Sequence, residues 1–150
     1  MVINWAELVV YDEANKDADA PWLMVLESVG DATHLRVQAE GTWNAIGSVL
    51  PACGPDGLAG LTLPDNQLVI SGCRFCALIG KIGGGSAMHH APVQPGTSLA
   101  ADEPFAIGAF CLLKLPPDTF GPLFLGFNKL LQPIHIATRK VRVSGARPTT

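Results

Sequence analysis

Charge is scarce in this chain: only 15% of its 150 residues are Asp, Glu, Lys or Arg, against about 25% in an ordinary domain. No apolar run approaches the ~20 residues of a membrane helix, so a helical span and membrane insertion are not expected. The start, MVINWAELVVYDEANKD, has neither a basic leader nor an apolar signal core. We therefore expect an unprocessed, cytoplasmic protein, with export by another route left open. Strong helical periodicity is missing too. Acidic residues are missing from the end of the chain, where none follows Asp118 while Lys129, Arg139, Lys140, Arg142 and Arg147 crowd together. No aromatic is interleaved with these bases, which disfavours nucleic acid as a partner.

What is there is turn chemistry, with 16 Gly and 12 Pro, and short apolar runs between the turns. The length suits one domain, residues 1–150, with a proper core. Strand signals fall at WAELVVY (5–11), WLMVLESV (22–29), THLRVQAE (33–40), QLVIS (67–71), FCALIGKIG (75–83), PFAIGAF (104–110), PLFLGFN (122–128) and HIATRKVRV (135–143). In THLRVQAE, Leu35, Val37 and Ala39 face one way and His34, Arg36, Gln38 and Glu40 the other, the period of a half-buried strand. Stretches such as VGD, CGPDG, LPDN, GGGS and LPPD separate the runs. About eight short strands without helices predict an all-β fold, a jelly-roll-like sandwich of two antiparallel sheets.

Charge is unevenly distributed. Residues 1–65 carry ten acids and two bases, and residues 66–150 carry three acids and eight bases. Either the two ends of the chain lie together and neutralise one another, or the bases form a face for an anionic partner such as an acidic glycan.

The busiest stretch is SGCRFCALIGKIGGGSAMHH (71–90). Cys73 and Cys76 form a C-x-x-C, but His89 and His90 are adjacent, where a zinc finger separates its histidines by three to five residues. A thioredoxin-type pair needs a helix N-terminus, and here both cysteines open a strand-like run. A phosphate loop would need a glycine where Phe75 stands and a hydroxyl where Ile82 stands. The segment reads as scaffold, with Gly80 marking a bulge or a close approach of backbone. Cys53, Cys73, Cys76 and Cys111 are expected to be buried thiols, although a Cys53–Cys73 or Cys73–Cys76 bridge stays open. Ser71 and Ser86 lie outside any nucleophile elbow. The acid pairs Asp12-Glu13 and Asp102-Glu103 sit in loop-like settings, so no enzymatic activity is expected.

The order of the pieces resembles the LecA-type galactophilic lectins, small bacterial β-sandwiches that bind galactosides through calcium. NWAELVVYDEANKD is similar to that family's opening strand and turn. VGDATHLRVQAEGTWNAIG (29–47), CGPDG, LPDNQLVI, CALIGKIGG and PLFLGFN follow in the family's order. The likeness covers roughly residues 4–143.

The resemblance implies the fold and places a site near Trp43, Ile46, Asp65, Asn66, Asn128 and Lys129. It does not carry the metal. The family's calcium-ligating Asp is replaced by Lys129, an ammonium that brings like charge and no oxygen. The family's Asn pair has no match in LLQPIHIATRK, its carbonyl-donating aromatic corresponds to Ile46, and its sugar-binding His to Leu63.

Two function classes follow. One is a calcium-independent, cofactor-free module reading a sugar or glycoconjugate, with Trp43 either a stacking platform or a core tryptophan. The other is a structural or assembly protein that has lost sugar binding. High apolar content with few charges favours a homo-oligomer in either case.

Overall fold

A computed structural model describes residues 2–18, 22–47, 49–61, 68–83, 104–115, 121–129 and 133–149. Eight strands run in chain order: β1 (Val2–Ala18), β2 (Leu23–Leu26), β3 (His34–Ala45), β4 (Leu78–Ile82), β5 (Phe105–Ala106), β6 (Phe110–Lys114), β7 (Leu123–Phe127) and β8 (Ile134–Thr149). They form two antiparallel four-stranded sheets, β1-β8-β3-β6 and β2-β7-β4-β5. Most connections pass from one sheet to the other, which is the jelly-roll arrangement expected from the sequence. No helix occurs among the described residues, so none there is long and apolar enough to cross a membrane.

Alternation fills the space between the sheets. Leu35 and Val37 of β3, Val141 and Val143 of β8, and Leu123 and Leu125 of β7 are all buried in one cluster. Strand β4 is buried along its whole length. Its outward side is covered by a second small cluster of Trp22, Ile79 and Phe124, with Val69 and Ile70 packed against it. Lys81 lies in that layer with its Nζ 4.9 Å from the Trp22 ring and 5.3 Å from the Phe124 ring, within the range of a cation–π contact. Gly80 is a place of close approach, as expected: a Cβ there would stand 2.8 Å from Ile107 Cδ1 and 3.2 Å from Phe124 O.

Three strand expectations are corrected. Leu68–Ser71 form no strand; they bend across the outside of the second sheet. The run from Phe75 does not start a strand until Leu78, because Cys76 takes a left-handed φ of 64° that a pleated strand cannot accommodate. PFAIGAF contains only the two-residue β5, and β6 begins at its last residue and runs on through FCLLK.

The charge asymmetry resolves into pairing of the chain ends. Strands β1 and β8 run antiparallel from Val2↔Thr149 to Ala18↔Ile134. Acids of the first half meet bases of the second: Glu13 with Arg139, Glu7 with Arg142 at 3.2 Å, Asp31 with Arg147 at 2.5 Å and Asp17 with His135 at 2.7 Å.

Candidate functional site

The residues singled out from sequence fall into three groups. Asp65 and Asn66 lie outside the described residues, as do His89 and His90. Ile46 is half-buried in the turn after β3, where its N–H donates to Pro133 O at 3.0 Å. Trp43, Asn128 and Lys129 are buried.

Trp43 has no exposed surface. It meets the Phe127 ring edge-on, with centroids 5.1 Å apart at 64°, and its indole Nε1 donates to Cys76 O at 2.9 Å. The stacking-platform expectation is thereby corrected: both ring faces are spent on the core, the other of the two readings.

Asn128 is a clamp. Its Oδ1 accepts from Ile70 N at 2.7 Å, and its Nδ2 lies 3.1 Å from each of the carbonyls of Ile70, Cys73 and Arg74. Its backbone donates to Ala77 O at 2.9 Å and accepts from Cys76 N at 3.1 Å. Both N–H donors of the amide are shared among these carbonyls and the residue is fully buried, so the side chain serves the loop and is not presented to a ligand. The same bonds explain C-x-x-C: Cys73-Arg74-Phe75-Cys76 is a turn wrapped around Asn128. Trp43 and Asn128 thus meet at the Cys76 backbone, and their contacts are those of a scaffold.

The thiols fit that role. All four cysteines are free. Contact with Cys53 and burial push the Cys76 thiol far up, so it does not supply a thiolate. Burial holds the Lys129 amine below its ordinary value. Among the described residues no three His, Cys, Asp or Glu side chains converge as a metal cluster.

A cavity that sequence reading did not mark lies at the other end of the sandwich. With a volume of about 500 Å³, it opens between the start of β1, the end of β8 and the loop 28–32. Its floor is made of small or apolar groups, with Val29, Gly145 and Ala146 buried and Leu8 and Ala32 alongside. Its exposed rim carries Asn4, Ser28, Asp31 and Arg147. Gly145 keeps the floor low: a Cβ there would stand 2.8 Å from Leu8 Cδ1 and 3.3 Å from Ala32 Cβ.

The loop is anchored at both ends. Val29 N donates to Gly121 O at 2.9 Å and Thr33 N to Ala146 O at 2.9 Å, while Gly30 N is held by Ser28 Oγ at 3.0 Å. Asp31 is thereby set against Arg147, whose Nη1 lies 2.5 Å from Oδ2. The rim thus presents a carboxylate, a guanidinium, an amide and a hydroxyl around an apolar base. That is the usual make-up of a small-molecule site: mostly apolar lining with a few oriented polar groups.

A second, shallower cavity of about 420 Å³ lies on the outer face of the first sheet, between Gln38, Glu40, Phe110, Lys140 and Arg142. No protein-family model matches the chain, and no curated protein matches it.

Proposed function

We propose that this protein is a calcium-independent, non-enzymatic module that binds a sugar or glycoconjugate in the cavity between loop 28–32 and the β1–β8 end. The observation that carries this reading is the Asp31–Arg147 pair on the rim of a cavity with a small-residue floor. A pyranose offers vicinal hydroxyls that donate to a carboxylate and accept from a guanidinium. Charge-assisted hydrogen bonds of this kind are the strong ones. The sugar's C–H face would rest on Leu8, Ala32 and Gly145. The jelly-roll fold and the resemblance to LecA-type galactophilic lectins support the same class. Ligand contact is assigned to Asn4, Ser28, Asp31 and Arg147 in place of Trp43 and Asn128.

A glycan array in the presence of chelator tests this. Binding to a restricted set of sugars, lost in Asp31→Ala and Arg147→Ala, is the expected result. The second reading, an assembly protein without sugar binding, is favoured by Phe110 and Leu112, which are 57% and 60% exposed. A blank array together with a stable oligomer would select it.

A further inference from the structure

Among the described residues the two sheets end on four edge strands, and three of them are protected. Strand β5 has two residues. Strand β2 has four and is bulged between Met24 and Leu26. Strand β1 is long, but it is bulged between Glu7 and Val9 and carries Glu7, Asp12, Glu13, Lys16 and Asp17. Short length, bulges and charge are the devices by which sheets avoid edge-to-edge pairing. Strand β6, Phe110–Lys114, is the least guarded: its one charge is Lys114 at its end, it is regular against β3 from His34↔Lys114 to Gln38↔Phe110, contains no proline, and exposes Phe110 and Leu112.

The hydrogen-bond phase of β6 shows which groups are left over. Leu115 N donates to Thr33 O at 2.8 Å, and Ala109 O accepts from Ala39 N at 2.9 Å. Antiparallel ladders alternate, so residues 109, 111, 113 and 115 turn their backbone groups toward β3. Those of Phe110, Leu112 and Lys114 point away from the sheet, where nothing among the described residues pairs with them.

We propose that β6 is a self-association edge, pairing antiparallel with β6 of a second copy about a two-fold axis through Leu112 to make a continuous eight-stranded sheet. This register is the self-complementary one. It sets Leu112 against its own copy and Phe110 opposite Lys114 of the other chain, an aromatic face to an ammonium. Every outward N–H and C=O of Phe110, Leu112 and Lys114 then meets a partner. Cross-strand pairs of these kinds stabilise sheets, and an isologous contact closes at two copies without growing into fibres. The contact is small, so the dimer is weak. The inference rests on neither reading of the function, and it leaves the Asp31–Arg147 cavity open.

Sedimentation equilibrium on the full chain tests it. The wild-type weight-average mass should rise from one chain toward two over the micromolar-to-millimolar range expected of a contact below about 1,200 Å². Leu112→Pro removes an outward N–H that the β3 ladder does not use, and proline is tolerated at such an edge position. It should stay monomeric throughout, with an unchanged circular dichroism spectrum. Leu112→Lys, which sets two ammonium groups across the axis, should do the same and decides the matter if the proline variant fails to fold. A wild-type chain that remains monomeric at the highest concentration, or a dimer that survives folded Leu112→Lys, would overturn the proposal.

Discussion

Glu13 and Arg139 stand directly opposite one another in the β1–β8 ladder and form an ion pair inside the sandwich, with side chains 8% and 3% exposed. The guanidinium lies 4.9 Å from the Phe127 ring and 5.6 Å from that of Tyr11. The pair joins the two ends of the chain at the point where β1 and β8 close over the core. Removing one member of a buried pair leaves an uncompensated charge, whereas replacing both can be nearly neutral. Arg139→Met should therefore cost about 3–5 kcal/mol in urea denaturation. Adding Glu13→Gln to it should restore much of the loss; a double variant no better than the single one would show that the guanidinium acts through packing alone.

Tyr11 is the only tyrosine, so its ionisation can be followed by absorbance without interference. Its hydroxyl donates to Glu13 Oε2 at 2.6 Å, and burial, followed by Glu13, raises its pKa above 10.0. Above pH 10 the unfolded chain gives up this proton before the folded one does. The stabilisation is full below the unfolded pKa and is lost as pH rises through the folded one. Melting temperature should thus fall above pH 10 more steeply in the wild type than in Tyr11→Phe. The absorbance titration should be displaced upward in folded protein and return to its ordinary position in urea.

Asn128 holds the 70–77 loop through both ends of its amide. Asn128→Ala leaves buried backbone groups of that loop without partners, at roughly 1–3 kcal/mol per group. Asn128→Asp should be worse at neutral pH, because a carboxylate has no N–H for the carbonyls of Cys73 and Arg74. Urea midpoints in the order wild type, Ala, Asp are expected; an Asp variant as stable as the wild type would contradict the clamp.

Calcium should neither bind nor stabilise the protein. A Ca²⁺ site needs six to eight oxygens. The oxygen of Asn128, the residue that resemblance would bring to the metal, is committed to Ile70 N, beside the buried Lys129. Thermal melts with millimolar calcium and with chelator should coincide, since tight binding to the folded state would raise the melting temperature by linkage.

Much of the architecture was legible because period-two alternation survives wherever one face of a strand is buried, as in Leu35-Arg36-Val37. It was lost where both faces are buried, and β4 is covered on each side, so its start could not be read from pattern. The bends at Leu68–Ser71 carry strand-forming residues because they cover Trp22 and Phe124 as a lid, a tertiary demand that outweighs propensity. At the site, Trp43 and Asn128 were marked by residue type, but a buried indole and a buried amide serve a core as readily as a ligand. Asn4, Ser28 and Asp31 went unmarked, and Arg147 was marked only as one of a run of bases, because the chain ends and a loop assemble their cavity. The one trace of it was the opposed charge of the two halves.

The central claim, that ligand is held between loop 28–32 and the β1–β8 end, is tested most directly by an amide NMR titration of the wild-type protein with a sugar from the array. Shift changes confined to residues 4–8, 28–32 and 145–147, and abolished in Asp31→Ala, are the expected result. Shifts centred on the turn near Ile46 and on Asn128–Lys129, with loop 28–32 undisturbed, would contradict it.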